Sequence, residues 1–202
     1  MKNNQTLSGL KQTVAMMVDN VITSNMFNDI FWVEIFNEAL SYIYGYHKWS
    51  WNIQDETITL TDTNTVQLSF PIQEILVVKQ WDTELTQVQY FSDLTSTTLS
   101  EFIIDWDKLI LNTNYTWEIR VIYRRWFIEY TILDINKQVD MPFFLNNILV
   151  SLMQFKILPI WLWEWSWWLM NNYLQDAIQQ LERYKAIDTY AEAERTLYPN
   201  RR

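Results

Sequence analysis

The spacing of the apolar residues changes twice along this 202-residue chain. In the first part, apolar side chains recur every three or four residues, as they do on one face of an α-helix. In the middle of the chain they alternate with polar residues, as in a half-buried β-strand. The helical spacing then returns. The sequence therefore predicts strands that lie between two helical regions.

The predicted fold class is α+β, a helical bundle formed by the N- and C-terminal helices with an inserted antiparallel β region. A chain of this length fits one domain, residues 1–202. Its predicted parts are the N-terminal helices at 6–48, the β region at 53–135, the C-terminal helices at 140–196 and a tail at 197–202.

Local patterns support these divisions. Asn28 or Asp29 can cap the second helix, because both residues are good hydrogen-bond acceptors at a helix start. Two alternating runs at 57–61 and 65–70 are joined by a short polar turn, which predicts a β-hairpin. Pro159 should kink or break the helical region that contains it.

Aromatic residues are abundant, with 12 Trp, 11 Tyr and 10 Phe. A domain of this size has limited interior for them, so some are expected at subunit contacts. The formal net charge of −9 argues against a general nucleic-acid binder. The chain has no Cys and only two Gly, which excludes disulfides, thiolate chemistry and Gly-rich phosphate loops. No transmembrane segment and no membrane partner are predicted.

Three passages carry a family resemblance. The first is a helix with Asn37-Glu38-Ala39-Leu40 and an aromatic end at 44–51, and the second is a strand–proline–strand passage at 66–78 around Pro71. The third is a closing pair of long helices. In this order they resemble the head-to-tail adaptor family of tailed bacteriophages, which includes the tail tubular protein A-like and connector proteins.

The resemblance implies a structural virion protein, assembled in the cytoplasm of the bacterial host and without catalytic activity. Such a protein forms a ring of about twelve copies between the portal protein and the downstream tail proteins, and DNA passes through it without tight binding. The alternatives are another tail, neck or baseplate protein, or an intracellular protein-interaction module. No cofactor, metal or catalytic residue is predicted.

Two sets of residues are candidates for contacts between proteins. The Trp-rich stretch is a candidate subunit interface or a helix buried on both sides, and its residues are Trp161, Trp163, Trp165, Trp167 and Trp168. In the tail, Tyr198, Arg201 and Arg202 are candidate portal-binding residues, since Arg binds carboxylates bidentately and is favoured at interfaces.

The remaining candidates are charged. Arg120, Arg124 and Arg125 form the only internal basic cluster, and we expect them to pair with acidic groups of a neighbouring subunit or to touch DNA phosphates. The alternation of the strand places Arg120 and Arg124 on its solvent or interface face. Asp105 and Asp107 could form a carboxylate pair for glycoside hydrolysis or for a hard metal, but a turn between 101–104 and 108–111 explains the same residues without chemistry and is the favoured interpretation. His47, the only histidine, is expected to pack at a helix end.

Overall fold

The structure is a computed structural model that describes residues 5–17, 28–88, 101–105, 108–115, 117–161 and 166–197. The side chains of residues 17, 113–115, 159–169 and 192–197 lie outside this description. The chain forms two compact units. One comprises Met1–Ser50 with Glu129–Arg202, and the other comprises Trp51–Ile128.

The first unit is helical. Its helices are α1 (Leu7–Met17), α2 (Asp29–Tyr46), α3 (Asn146–Trp161) and α4 (Ser166–Leu197). Short 3-10 turns at Ile132–Asp134 and Phe143–Leu145 precede α3. The predicted cap of α2 is confirmed for Asn28, whose side chain accepts a hydrogen bond from the Phe31 backbone N–H at 2.9 Å.

Burial of one apolar face from each helix holds this unit together. The fully buried positions include Leu10 of α1, Phe36 of α2, Met153 of α3 and Leu181 of α4. Helix α3 packs against α1, α2 and α4. Beyond Leu181, the described part of α4 also makes polar contacts, among them the hydrogen bond from the Tyr46 hydroxyl to Glu182 at 2.6 Å. This hydrogen bond is the main cause that raises the pKa of Tyr46 to about 12.

The second unit consists of strands. They are β1 (Ile53–Thr59), β2 (Thr63–Gln67), β3 (Ile72–Gln80), β4 (Thr83–Glu84), β5 (Thr86–Gln87), β6 (Glu101–Asp105), β7 (Lys108–Tyr115) and β8 (Glu118–Arg125). They form two four-stranded sheets, with the orders β1-β8-β3-β4 and β2-β7-β6-β5. Both sheets contribute to one core, in which Val66, Leu109, Val121 and Tyr123 are fully buried.

The predicted fold class is wrong. The strands do not form one antiparallel region inserted into a helical bundle. They form two sheets of four strands, and the second sheet is mixed because β5 pairs in parallel with β6. Because the strands bury their own hydrophobic core, they form a sheet-rich body and not an addition to a bundle.

The predicted hairpin is also wrong, since its two strands lie in different sheets. Strand β1 pairs with β8, and β2 pairs with β7. Leu60 continues the β1–β8 ladder by donating its N–H to the Trp117 carbonyl at 2.9 Å. Asp62 then adopts a left-handed backbone with φ of 50°, a conformation that Asp tolerates better than most residues. The polar turn therefore carries the chain from one sheet to the other.

Candidate interaction surface

The clearest candidate surface of the helical unit is the 3-10 turn Ile132–Asp134, which we call the apex turn. Leu133 is 88% exposed and Ile132 is 50% exposed. A single exposed apolar residue on a protein surface needs no explanation, but two adjacent ones at the end of a rigid turn form an apolar projection. To serve as a docking surface, the turn must also be held firmly.

Asp134 closes the apex turn from within. Its Oδ2 accepts hydrogen bonds from the Thr131 backbone N–H at 2.8 Å and from the Thr131 hydroxyl at 2.7 Å. Its Oδ1 forms an ion pair with the Lys137 ammonium. The hydrogen bond from Lys137, followed by those from Thr131, lowers the pKa of Asp134 to about 2. The polar groups of the turn thus satisfy one another, and the apolar side chains face solvent.

Tyr130 fastens the apex turn to α2. The Asn37 side chain donates to the Tyr130 carbonyl at 2.9 Å and accepts from the Tyr130 N–H at 3.0 Å. The Tyr130 ring meets the ring of Phe36 edge-on, with centroids 5.0 Å apart. Its hydroxyl donates to the Gln138 carbonyl and accepts from the Asp140 N–H. One half-buried asparagine and one tyrosine therefore fix both ends of the loop.

The segment around α1 provides a second attachment. The Ser8 N–H donates to the Ile135 carbonyl, and the Val139 N–H donates to the Gln5 carbonyl, both at 2.9 Å. Thr6 and Gln138 form an antiparallel bridge between these hydrogen bonds. Because so many bonds fix the backbone, little conformational entropy remains to be lost when a partner covers Ile132 and Leu133. The apex turn is therefore preorganised for binding.

The low pKa of Asp134 gives a pH prediction. A carboxylate whose pKa is lower in the folded than in the unfolded state stabilises the fold at pH values above its unfolded-state pKa. This contribution is lost as the pH falls through its folded-state pKa. We therefore expect the apex turn to stay closed at pH 4 and to open as the pH falls through about 2. When the Thr131 amide resonance is followed by NMR in an acid titration, its chemical shift should change with a midpoint near pH 2. The Asp134→Asn variant should show no such transition. A midpoint near the ordinary value of about 4 would contradict it.

The β unit carries a second exposed aromatic surface, formed by Trp81 and Trp117. The two rings are in edge contact with centroids 5.3 Å apart, and Trp81 is 70% exposed. Trp81 follows β3 with a φ of 54°, which is a strained backbone for a large side chain. Strain of this kind is found preferentially at binding and functional sites.

The three arginines of the basic cluster make their contacts within the β unit. Arg120 forms a bidentate pair with Asp55 at 2.8 and 2.6 Å, which lowers the pKa of Asp55. Arg124 lies 3.3 Å from Glu74, and the Arg125 guanidinium lies over the Phe70 ring at 4.4 Å. Arg120 and Arg124 therefore have acidic partners within the chain, and their pairing with a neighbouring subunit stays a prediction.

The expected orientation of Arg124 is also wrong, since it is only 6% exposed. Arg120 is exposed, as the alternation predicted. Strand β3 changes register against β8 between Ile72 and Glu74 and again between Ile75 and Val77. The extra residues of these shifts lie on β3, and β8 keeps its alternation. The last three residues of β8 are nevertheless all buried, so this end of the strand is covered on both faces.

Most of the other predicted site residues lie outside the described part of the chain. Trp163, Trp165, Tyr198, Arg201, Arg202 and Asp107 are not described, and for Trp161, Trp167 and Trp168 only the backbone is described. Helix α3 ends at Trp161 and α4 begins at Ser166, so these tryptophans do not share one described helix. Asp105 lies at the end of β6, opposite Lys108 in the ladder.

His47 lies at the end of α2, as predicted, and packs edge-on against Trp49. Its Nε2 lies 3.3 Å from Asp188 of α4. Ser50 donates both its N–H and its hydroxyl to the same carboxylate. Because the carboxylate lies between the serine and the histidine, His47 is not placed to take a proton from Ser50, as a nucleophilic triad requires. The cluster instead joins α2 to α4.

Comparison with known proteins gives no assignment: no model of a known protein family matches the chain, and no curated protein is significantly similar to it. Within the described ranges, no three His, Cys, Asp or Glu side chains are grouped as metal ligands. No described helix is long and apolar enough to cross a membrane.

The sequence contains a signal for the apex turn. Thr131 and Asp134 have the Ser/Thr-x-x-Asp/Glu spacing of a capped helical start, followed by Lys137 as a partner for the carboxylate. The pattern predicts a closed turn. It does not predict that Ile132 and Leu133 face solvent, because that depends on the attachments to α1 and α2.

Proposed function

We propose that this protein is a structural component of a virion, a head-to-tail adaptor that forms a ring between the portal protein and the tail. The observation that carries the proposal is the apex turn, an apolar projection that is rigidly held and exposed in the isolated chain. Interfaces concentrate their binding energy in a few such residues. The proposal applies to the assembled virion and gives the protein no catalytic role.

The order of elements supports the same proposal. Two helices precede the strands and two long helices follow them, which is the order on which the resemblance to the adaptor family rests. Exposed aromatic residues occur in each unit, such as Phe143 in the helical unit and Trp81 in the β unit. An assembly protein with contacts on several sides has a use for apolar groups on each of them.

DNA is proposed to pass through the ring without being gripped. Tight binding requires Lys or Arg side chains that neutralise phosphates. Asp55 and Glu74 already pair with Arg120 and Arg124, and the net charge of the chain is −9. The internal basic cluster is therefore poorly suited to hold a nucleic-acid backbone.

The proposed contact with the portal is the C-terminal tail, with Tyr198 filling a pocket and Arg201 and Arg202 pairing with acidic groups. The neighbouring copies in the ring and the downstream tail proteins are the other proposed partners. The apex turn is assigned to the contact between copies, because a rigid projection on every subunit can repeat the same contact around a closed ring.

Sedimentation velocity tests the proposal. The purified protein is run alone and then with the portal protein of the same virion. We expect a ring-sized species in the presence of the portal, and negative-stain images should show a closed ring attached to it. A protein that remains monomeric under both conditions would exclude the adaptor assignment. A multimer that forms but does not bind the portal would indicate that the protein is another tail, neck or baseplate component.

A further inference from the structure

Helices α3 and α4 leave a groove between them, with a volume of about 520 Å³. On α3, the groove is lined by Val150, Ser151 and Gln154, which are almost fully buried. The other residues that line it are Asn147 of α3 and Asn172, Tyr173, Asp176 and Gln180 of α4. The groove belongs to the helical unit, and no residue of the apex turn lines it.

The surface that the groove offers to solvent is mostly apolar, although many of its residues are polar. Asp176 accepts hydrogen bonds from the Ser151 hydroxyl at 3.3 Å and from the Gln180 amide at 2.7 Å, so it is already satisfied in part within the groove. None of the described residues that line the groove is Lys or Arg. The volume lies within the range of small-ligand sites, so the groove can hold two aliphatic side chains.

The apex turn carries the matching apolar side chains on the same chain. Leu133 is the most exposed large apolar residue in the described ranges, and Ile132 beside it is half exposed. They do not fill the groove of their own copy, because the turn is tied to α1 and α2 and both side chains face solvent. Each copy therefore carries one apolar projection and one apolar groove. Two unlike surfaces of this kind form a head-to-tail contact, which closes into a ring when the rotation allows.

We propose that the apex turn of one copy docks in the α3–α4 groove of the next copy. Ile132 and Leu133 of the first copy contact Val150 and the Tyr173 ring of the second. Asp176 keeps its bonds to Ser151 and Gln180, so the contact needs no counter-charge. The choice of a neighbouring copy as the partner rests on the proposed function, which assigns the apex turn to the contact between copies; the docking surface is the new element.

The expected contact is weak between free copies. One projecting turn in one groove buries less surface than a stable complex, which needs about 1,200 Å² or more. We therefore expect the contact to be populated at high protein concentration and to be strengthened when a portal holds the copies side by side, because their effective concentration is then raised. A contact of this kind is best detected by trapping it covalently.

Crosslinking between two single-cysteine proteins tests the contact, because the natural chain has no Cys. One protein carries Asn136→Cys beside the apex turn and the other carries Asn172→Cys at the groove; both positions are exposed. In a concentrated equal mixture, a short bismaleimide should join the two proteins into a dimer. Each protein alone should give little dimer, because the contact joins unlike surfaces.

The matched control is Asn171→Cys, which replaces the adjacent exposed asparagine on another face of α4 that does not line the groove. Paired with Asn136→Cys, it should give at least about fivefold less dimer than Asn172→Cys, since the trapped yield follows the local concentration of the two thiols. Equal yields from Asn171→Cys and Asn172→Cys would overturn the proposal.

Filling the groove gives a second test. Asn172→Trp should prevent ring assembly on the portal in sedimentation velocity, whereas Asn171→Trp should assemble normally. Both substitutions are at exposed positions, so Tm should stay within about 2 °C of the wild type. If Asn172→Trp forms rings as the wild type does, docking in the groove is excluded and the adaptor assignment stands. If the crosslink forms between free copies but the wild type forms no ring on the portal, the adaptor assignment fails and the docking stands. If neither forms, both are excluded.

Discussion

Replacing Leu133 by aspartate is expected to abolish assembly while leaving the fold of the monomer intact. Leu133 is almost fully exposed, so the substitution removes no contact from the core. At an interface, losing a central apolar anchor costs about 2 kcal/mol or more, and burying an unpaired charge in its place adds to this. The loss is repeated at every contact of a ring, because all copies are equivalent. Sedimentation velocity with the portal should therefore show no ring-sized species.

The matched control is Asn136→Asp, which adds the same charge to the same loop at an exposed polar position. We expect this variant to assemble normally. Thermal unfolding should show a Tm within about 2 °C of the wild type for both variants, since surface substitutions rarely change stability by more than about 0.5 kcal/mol. If Leu133→Asp still forms normal rings, the apex turn does not lie at the interface between copies. The Trp81–Trp117 pair would then be the favoured contact.

The attachments of the apex turn explain why this substitution should act so locally. Asn37 and Tyr130 hold the loop through backbone hydrogen bonds that do not involve the Leu133 side chain. Asp134 closes the turn through Thr131 and Lys137. The projection is therefore built from the polar groups beneath it, and its exposed residues are available for recognition.

The helices could be predicted from the sequence because their signals are local. The apolar residues of α2 recur with the helical period. Asn28 caps the helix by accepting a hydrogen bond from the backbone N–H three residues later. The predicted spans 6–48 and 140–196 contain the four helices of the described ranges, except the last residue of α4, Leu197. Helix ends are the least certain part of such a prediction.

Strand pairing could not be predicted in the same way, because it is decided by residues far apart. The alternation in 57–61 and 65–70 indicates strands, but it does not identify their partners. Strand β1 pairs with the distant β8, from Ile53 opposite Arg124 to Thr59 opposite Glu118, and this pairing separates it from β2. Arg124 is buried although strict alternation had placed it outside, because this end of β8 is covered on both faces.

The apex turn was missed for a related reason. Ile132 and Leu133 are apolar residues of the kind that a sequence pattern places inside a protein, and their exposure depends on the attachments of the loop to α1 and α2. The tryptophans and the terminal arginines stand out in the sequence because these residue types are concentrated there. The structure directs attention to ordinary residues whose burial or exposure is unusual.

Deleting residues 198–202 is expected to abolish attachment to the portal without affecting the fold. Among the described side chains, the last fully buried residue of α4 is Leu181, so the deletion removes nothing that the described core requires. Two charge-assisted arginine contacts contribute about 1.5–3 kcal/mol each, and an aromatic anchor such as Tyr198 adds about 2 kcal/mol. Together these losses lower the affinity by at least about a thousandfold. Electron microscopy of the corresponding virions should show DNA-filled heads without tails.

Two finer variants separate the contributions within the tail. Arg201→Gln with Arg202→Gln should weaken co-sedimentation with the portal strongly, and salt should weaken the wild-type complex more than the remaining binding of this variant, because exposed ion pairs are screened. Asn200→Ala, between the proposed anchors, should attach normally. If the protein lacking 198–202 still joins portals with wild-type affinity, the docking role belongs to another surface. The exposed Trp81–Trp117 pair of the β unit would then be the next to test, by replacing Trp81 with serine and repeating the co-sedimentation.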